Sequence, residues 1–352
     1  MRFGLLVVLG VATLPVFAGD WNPRLAAEYL DSRQKEWFAW KPATAPGGPC
    51  VSCHTSVTYL LARPVLRRAL GEKERTSHET GLTAALKARV AKREPTELFP
   101  AFKKEPLASQ AAGVESIHAA LFLTLENAGR TLSPEAEQAF ERMWAFQIRE
   151  GDAKGAWAWF SLNLDPWEMP ESRFYGASLA ALAVGSAPAE YRKRSGVAER
   201  VADLVAYLSR EQQAQPLHNR LVLLWASTKL REALPDSARK AIIDEAWRKQ
   251  QADGGWAMET LGPWKEHPNA IPAAGSNSYA TGLAAFALER SGVKRSDKKF
   301  KRALAWLKSQ QDPKHGYWPA QSMNKKYEPG SMQDGFMRDA ATAFSVMALS
   351  AH

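Results

Sequence analysis

The chain has 352 residues and a formal net charge of +9, and 45% of its residues are hydrophobic, with 13 tryptophans. So much apolar side chain can form a substantial core, which excludes an intrinsically disordered protein. Basic residues occur in brief runs beside acids, as at Arg67-Arg68 and Lys298-Lys299. This pattern indicates solvated helix faces, and it excludes a continuous basic surface for nucleic acid.

Residues 1–18 have the pattern of a secretory signal peptide. Arg2 supplies the basic start, an apolar run extends from Phe3 to Phe17, and Ala18 ends a plausible cleavage site. An uncleaved membrane anchor is the alternative, although the run is shorter than the roughly 20 apolar residues of a spanning helix. No later stretch is long and apolar enough to cross a bilayer. We therefore expect a periplasmic or secreted protein without a transmembrane segment after cleavage.

Residues 19–109 form the predicted N-terminal helical segment. A short helical pattern runs from Pro23 to Trp40 and then breaks in a stretch rich in proline and glycine, residues 42–49. Helical periodicity resumes after Cys53 and continues with short loops. Alternating runs of β-branched residues are nearly absent, so little sheet is expected.

The only two cysteines of the chain lie in the sequence Cys50-Val-Ser-Cys53-His54. Two thiols at this spacing can reach the two vinyl groups of a haem, and the adjacent imidazole can bind the iron, so the pattern predicts covalent haem c. Export agrees with this prediction, because covalent haem loading takes place outside the cytoplasm. Three alternatives stay open: a disulfide between the two cysteines, a thioredoxin-like redox pair and a metal site such as zinc.

The second axial ligand of such a haem is not specified by the motif. No methionine occurs between residues 19 and 142, so a self-contained His/Met cytochrome domain is not expected there. The distal candidates are His78, His118 and Met143, or the position is open. By default His78 is a solvated loop residue, and His118 lies at the edge of the core.

A degenerate repeat occupies the rest of the chain. In each copy, an amphipathic helical pattern ends with an aromatic residue and a glutamine, as in Trp144 to Gln147, Tyr207 to Gln213, Trp247 to Gln251 and Trp306 to Gln311. Three copies pass through a turn to a second tryptophan, at Trp157, Trp256 and Trp318, and a helix of small residues follows. We expect the glutamine amide to bond exposed backbone groups at the helix end while the indole covers the same turn.

The segment Gln251-Ala-Asp-Gly-Gly-Trp256 resembles the QW repeat of squalene-hopene cyclases and related terpenoid cyclases, and the copies ending at Trp157 and Trp318 are looser versions. The resemblance implies an α/α toroid, a double ring of helices around a central, often apolar cavity. It covers about residues 110–352. The predicted fold is therefore all-α, a single toroid with an N-terminal helical extension.

The catalytic residues of that family do not carry over. The resemblance implies an Asp-x-Asp-Asp cluster whose middle acid protonates an alkene, and the chain contains no such cluster. The nearest acids are Asp165, Glu168 and Asp339, which are weak candidates for a cavity acid. Asp339 also suits a plain role at a helix N-terminus. The zinc site of protein prenyltransferases cannot be assembled in that family's way, because no cysteine follows Cys53.

These features lead to three hypotheses for the function. The first is an exported haem protein for electron transfer or ligand sensing, with a toroid as scaffold and a redox protein as partner. The second is an enzyme that processes an isoprenoid or other apolar ligand in the toroid cavity. The third is a non-catalytic interaction module, because a toroid can bind partners on its rim.

Overall fold

The computed structural model describes residues 20–45, 47–91, 104–126, 131–271 and 274–350. The predicted signal peptide lies outside these residues. The described part contains thirteen α-helices and one hairpin of two-residue strands, which confirms the all-α prediction. The helices are α1 (Pro23–Ala39), α2 (Ser56–Ala69), α3 (Ser77–Val90), α4 (Leu107–Glu126), α5 (Pro134–Ala145), α6 (Ser172–Ser186), α7 (Ala189–Arg192), α8 (Val197–Glu211), α9 (Leu217–Ala226), α10 (Asp236–Lys249), α11 (Ser278–Arg290), α12 (Lys298–Gln310) and α13 (Phe336–Leu349), and the strands are β1 (Thr44–Ala45) and β2 (Gly48–Pro49).

Side-chain chemistry accounts for where several helices begin. Asn22 caps α1 by accepting hydrogen bonds from two backbone N–H groups of the first turn. Thr76 and Glu79 form a capping box at α3, in which each side chain accepts the backbone N–H of the other residue. Asn277 caps α11 and Asp297 caps α12 in the same way as Asn22. None of the helices in the described ranges has the length and apolarity that a membrane span requires.

The helices form two layers. Six of them pack side by side in the order α2, α13, α11, α9, α6 and α4, and small residues on α6, α11 and α13 allow close approach. A second set of helices covers this inner layer: α1 lies on α2 and α13, α3 and α5 on α4, α8 on α6, α10 on α9, and α12 on α11 and α13. This order agrees with the inner and outer layers of a toroid, and the toroid itself stays a prediction.

The glutamine–tryptophan units make hydrogen bonds that differ from the prediction: the indoles bond the end of the preceding helix, and the glutamines bond their own turn and another helix. The buried indoles of Trp157, Trp256 and Trp318 each donate Nε1–H to a backbone carbonyl on the preceding helix, at 2.6, 2.7 and 2.7 Å. Gln147 Nε2 lies within hydrogen-bond distance of the carbonyls of Gly155, in its own turn, and Arg200, on α8. In the unit that ends at Trp256, Gln250 and not Gln251 makes the equivalent bonds, to Gly254 and Lys299.

The N-terminal helix takes part in this pattern. In the unit that ends at Trp318, Gln311 bonds Gly316 in its own turn and Asn22 at the start of α1. The rings of Trp21 and Trp318 lie 5.9 Å apart between centroids. Helices α1 and α2 both pack on the C-terminal helix α13. The division of the chain into an N-terminal segment and a toroid, between residues 109 and 110, stays a prediction. Helices from the two sides of this division pack against each other.

Candidate functional site

The segment that leads into the cysteine pair is held by the helices on either side. Strand β2 begins at Gly48, whose φ is +127° and where a Cβ would lie 2.9 Å from the Cβ of Ala85 on α3. Arg89 of α3 donates from Nη2 to the Gly48 carbonyl at 2.5 Å. Trp37 of α1 donates its indole N–H to the Cys50 carbonyl at 2.7 Å. The backbone at the motif is therefore fixed by α1 and α3 together.

Cys50, Cys53 and His54 line one cavity of about 230 Å³. The mouth includes the exposed residues Pro42, Thr44 and Leu162. The other lining residues are mostly apolar, with a few polar side chains among them: Trp37, Ala45, Val51, Ser52, Ala111, Val114, Glu115, His118, Phe160 and Glu168. The predicted motif thus opens onto apolar space.

The two cysteines are free thiols in a low-polarity setting. Burial raises the pKa of Cys50 to about 11 and raises the pKa of Cys53 well above its ordinary value. A reactive redox pair needs a lowered thiol pKa, so this environment does not favour the thioredoxin-like alternative. Among the residues that the structure describes, no three histidine, cysteine or acidic side chains are grouped to hold a metal ion, and the zinc alternative therefore gains no support.

The imidazole of His54 is packed between aromatic rings. It stacks on Phe336 of α13 with 3.5 Å between ring centroids, and the Trp37 ring meets it edge-on at 5.3 Å. His54 Nδ1 lies 3.0 Å from Thr55 Oγ1. Burial, assisted by the charge of Arg33, lowers the pKa of His54 to about 3, so the ring is neutral at pH 7. A neutral imidazole with Nδ1 engaged can bind a metal through Nε2.

Asp339, a weak candidate for a cavity acid, is a fully buried carboxylate on α13. It accepts hydrogen bonds from the Tyr29 hydroxyl at 2.8 Å, from Arg33 Nε at 2.8 Å and Nη2 at 3.2 Å, and from Thr55 Oγ1 at 2.7 Å. Burial raises the pKa of Asp339, while the Arg33 guanidinium and these hydrogen bonds oppose that rise. It lines neither the cavity described above nor a second, smaller cavity beside His54. The geometry favours an anchoring role over proton donation to a ligand.

The three distal-ligand candidates lie in different places. His118 is buried on α4 and lines the cavity, with Nδ1 3.2 Å from the Val51 carbonyl and Nε2 4.0 Å from Cys53 Sγ. Burial lowers the pKa of His118 to about 4. His78 lies in the first turn of α3, not in a loop, and Met143 is buried in α5. Neither of these two residues lines the cavity.

Asp165 and Glu168 lie in one loop beside a second cavity of about 80 Å³, which shares His54 and Glu168 with the first. Asn163 begins the loop at φ +58°, and a backbone bridge joins Leu164 to Glu168. Asp165 Oδ2 accepts the backbone N–H of Lys265 at 3.2 Å.

The two acids of this loop differ in their surroundings. Asp165 Oδ2 also lies 3.3 Å from His267 Nε2, and burial raises the pKa of Asp165 against these two contacts. Burial alone raises the pKa of Glu168 to about 7. Glu168 is therefore an acid beside the motif whose pKa lies near neutrality.

The residues at this site fit a covalently attached haem. Two thiols and one neutral imidazole face the same mostly apolar cavity, and the second nitrogen of the imidazole is engaged by Thr55. Pockets that enclose whole ligands have volumes of roughly 300–1,000 Å³. The cavity of about 230 Å³ is smaller, so a macrocycle attached here would extend into its open mouth.

Several residues at the site carry no sequence signal for it. Thr55 follows the motif directly, but Phe336 and Asp339 come from the other end of the chain, and Arg33 from α1.

No protein-family model matches this chain, and no curated protein matches it. The resemblance to terpenoid cyclases therefore rests on the repeat residues.

Proposed function

We propose that the protein is a c-type haem protein that works outside the cytoplasm, in electron transfer or ligand sensing. The observation that carries this proposal is the shared cavity: Cys50, Cys53 and His54 all line one apolar space that opens to the surface. Location outside the cytoplasm rests on the predicted signal peptide. When bound, the haem supplies one-electron redox chemistry or binding of a small ligand at iron.

Each residue of the motif has a separate task. Each thiol would hold the haem by addition across one vinyl group, with a new S–C bond and the hydrogen of the broken S–H bond on a vinyl carbon. His54 would hold the iron through Nε2. Trp37 and Phe336 hold the imidazole plane in one orientation, and the apolar wall, with Val114 as one member, excludes water.

The mouth of the cavity suits exchange of electrons with a redox partner protein, because a macrocycle edge would be accessible beside the exposed side chains of Pro42, Thr44 and Leu162. Coordination at iron decides between the two roles. A second side chain that held the iron would favour electron transfer, and the lack of one would favour ligand sensing. His118 is the distal candidate that lines the cavity.

The test is expression with its signal peptide in a host that carries the haem c maturation machinery. We expect a red protein that keeps its haem after denaturation, with a pyridine haemochrome spectrum typical of thioether-linked haem. Cys50→Ser/Cys53→Ser is the matched control and should release any haem on denaturation. A colourless wild-type protein, or haem that is lost on denaturation, would overturn the proposal.

No observation favours the isoprenoid-processing alternative. Asp339 is paired with Arg33 instead of facing a cavity. Between the inner helices, Tyr175 stacks on His218, and His218 contacts Tyr279 in turn, so aromatic rings pack there against one another. The interaction-module alternative likewise gains no specific surface.

A further inference from the structure

We infer that Asp339 and Thr55 are positioning residues for His54: the carboxylate, acting through the threonine hydroxyl, holds the imidazole proton on Nδ1 and leaves Nε2 as the lone-pair donor. The inference deepens the proposed function and rests on it only for the identity of the group that Nε2 binds. The three side chains form a continuous path, with 2.7 Å between Asp339 Oδ2 and Thr55 Oγ1 and 3.0 Å between Oγ1 and His54 Nδ1.

The direction of the two hydrogen bonds follows from the number of hydrogens. A threonine hydroxyl has one hydrogen and can accept as well as donate. An ionised carboxylate only accepts, so the Thr55 hydrogen points to Asp339. The hydroxyl oxygen can then only accept from His54, and the neutral ring must carry its hydrogen on Nδ1.

The ionised state of Asp339 is supported by its other partners. Arg33 Nε donates to Oδ1 and Arg33 Nη2 to Oδ2, so both carboxylate oxygens face the guanidinium in the two-pronged arrangement that favours charge. The Tyr29 hydroxyl also donates to Oδ1. With donors on both oxygens, a proton on the carboxyl group would displace an existing hydrogen bond.

The Thr55 hydroxyl has no competing helical role. Thr55 is the residue before the first turn of α2, a position where threonine often caps the helix with its side chain. Here the side chain makes no capping bond, and its hydroxyl lies between His54 and Asp339 instead. Removal of this hydroxyl therefore interrupts the path without removing a helix cap.

The haem-free protein provides the first test. The ¹⁵N chemical shifts of a neutral imidazole distinguish the Nδ1–H from the Nε2–H tautomer. We expect Nδ1–H at His54 in the wild-type protein and in Thr55→Ser, which keeps the hydroxyl. Thr55→Val keeps the size and shape of the side chain without the hydroxyl, and we expect it to populate Nε2–H.

Two results would overturn the inference: an Nε2–H tautomer in the wild-type protein, or the same tautomer in Thr55→Val as in Thr55→Ser. If Thr55→Val does not fold, as judged by circular dichroism, Thr55→Ala replaces it with the same expectation. The test does not depend on haem, so its result stands apart from the outcome of haem loading.

The haem-loaded protein provides the second test. A hydrogen bond from Nδ1–H toward a carboxylate makes a metal-bound imidazole more basic and so favours ferric over ferrous iron. We expect the midpoint potential of Thr55→Val to shift upward from the wild-type value, while Thr55→Ser stays close to it. Covalent haem with equal midpoint potentials in all three proteins would overturn this inference and leave the proposed function standing. Failure to attach haem would overturn the proposed function.

Discussion

Gln311 pairs with both backbone groups of Asn22, a residue 289 positions earlier in the chain. Its Oε1 accepts the Asn22 N–H at 2.6 Å, and its Nε2 donates to the Asn22 carbonyl at 2.9 Å. The same Nε2 lies 2.9 Å from the Gly316 carbonyl. The last glutamine–tryptophan unit is therefore bonded to the start of α1, as the units that end at Trp157 and Trp256 are bonded to the first turns of α8 and α12.

We predict that Gln311→Ala destabilises the whole protein, because it removes two hydrogen bonds to Asn22 at the start of α1 and a third to Gly316 in its own turn. The Asn22 groups are exposed and can bond water instead, so the expected loss is about 1–2 kcal/mol of unfolding free energy. Urea unfolding followed by circular dichroism measures it. Gln310→Ala is the control, since Gln310 bonds only its neighbour Ser309 among the described residues. Equal midpoints for the two variants would contradict the prediction.

We predict a larger loss for Trp318→Phe. The Trp318 indole is fully buried and donates to the Leu307 carbonyl at 2.7 Å. The substitution leaves a cavity and an unpaired buried carbonyl, which together cost about 2–3 kcal/mol. Trp306→Phe removes an indole that bonds Asp253 near the surface and should cost less than about 1 kcal/mol. The same unfolding measurement compares the two, and a loss at Trp306 as large as that at Trp318 would refute the role given to the buried indole.

The pKa of Glu168 predicts a pH dependence of stability. Burial raises this pKa from 4.5 to about 7, so between these values the folded state binds more protons than the unfolded state. Stability from this group therefore falls as the pH rises through that window. Glu168→Gln cannot ionise, and we expect its stability relative to the wild-type protein to increase from about pH 4.5 to about pH 7 and then level off.

The buried histidines oppose this trend, in the wild-type protein and in Glu168→Gln alike. Burial lowers the pKa of His54 to about 3 and the pKa values of His118 and His218 to about 4. Because the unfolded state then binds more protons than the folded state, the protein loses stability as the pH falls below 6.5. The difference between Glu168→Gln and the wild-type haem-free protein isolates the carboxyl group. Glu171→Gln, at an exposed position, is the control variant. A difference that stays constant with pH would show that Glu168 does not titrate in this range.

The parts of the site that sequence reasoning could predict are those encoded by near neighbours. Cys50, Cys53 and His54 lie next to one another in the sequence, and each glutamine–tryptophan unit closes a local turn. Their chemistry is therefore visible in short motifs. The contact of Thr55 with Asp339 joins residues 284 positions apart, and only the packing of α13 on α2 brings them together. Even within a unit, the choice of Gln250 over Gln251 depends on where Lys299 of α12 lies.

Single-cysteine variants test the attachment of each thiol separately. In Cys50→Ser and in Cys53→Ser, one thioether should still form, so we expect haem that survives denaturation in both. Each variant leaves one vinyl group conjugated with the porphyrin, which should move the haemochrome α-band to longer wavelength than in the wild-type protein. Cys50 is half-buried and Cys53 is buried, so we expect the lower haem content in Cys53→Ser, where the remaining thiol is the less confined one. An unshifted band in either variant would show that the replaced cysteine forms no thioether in the wild-type protein.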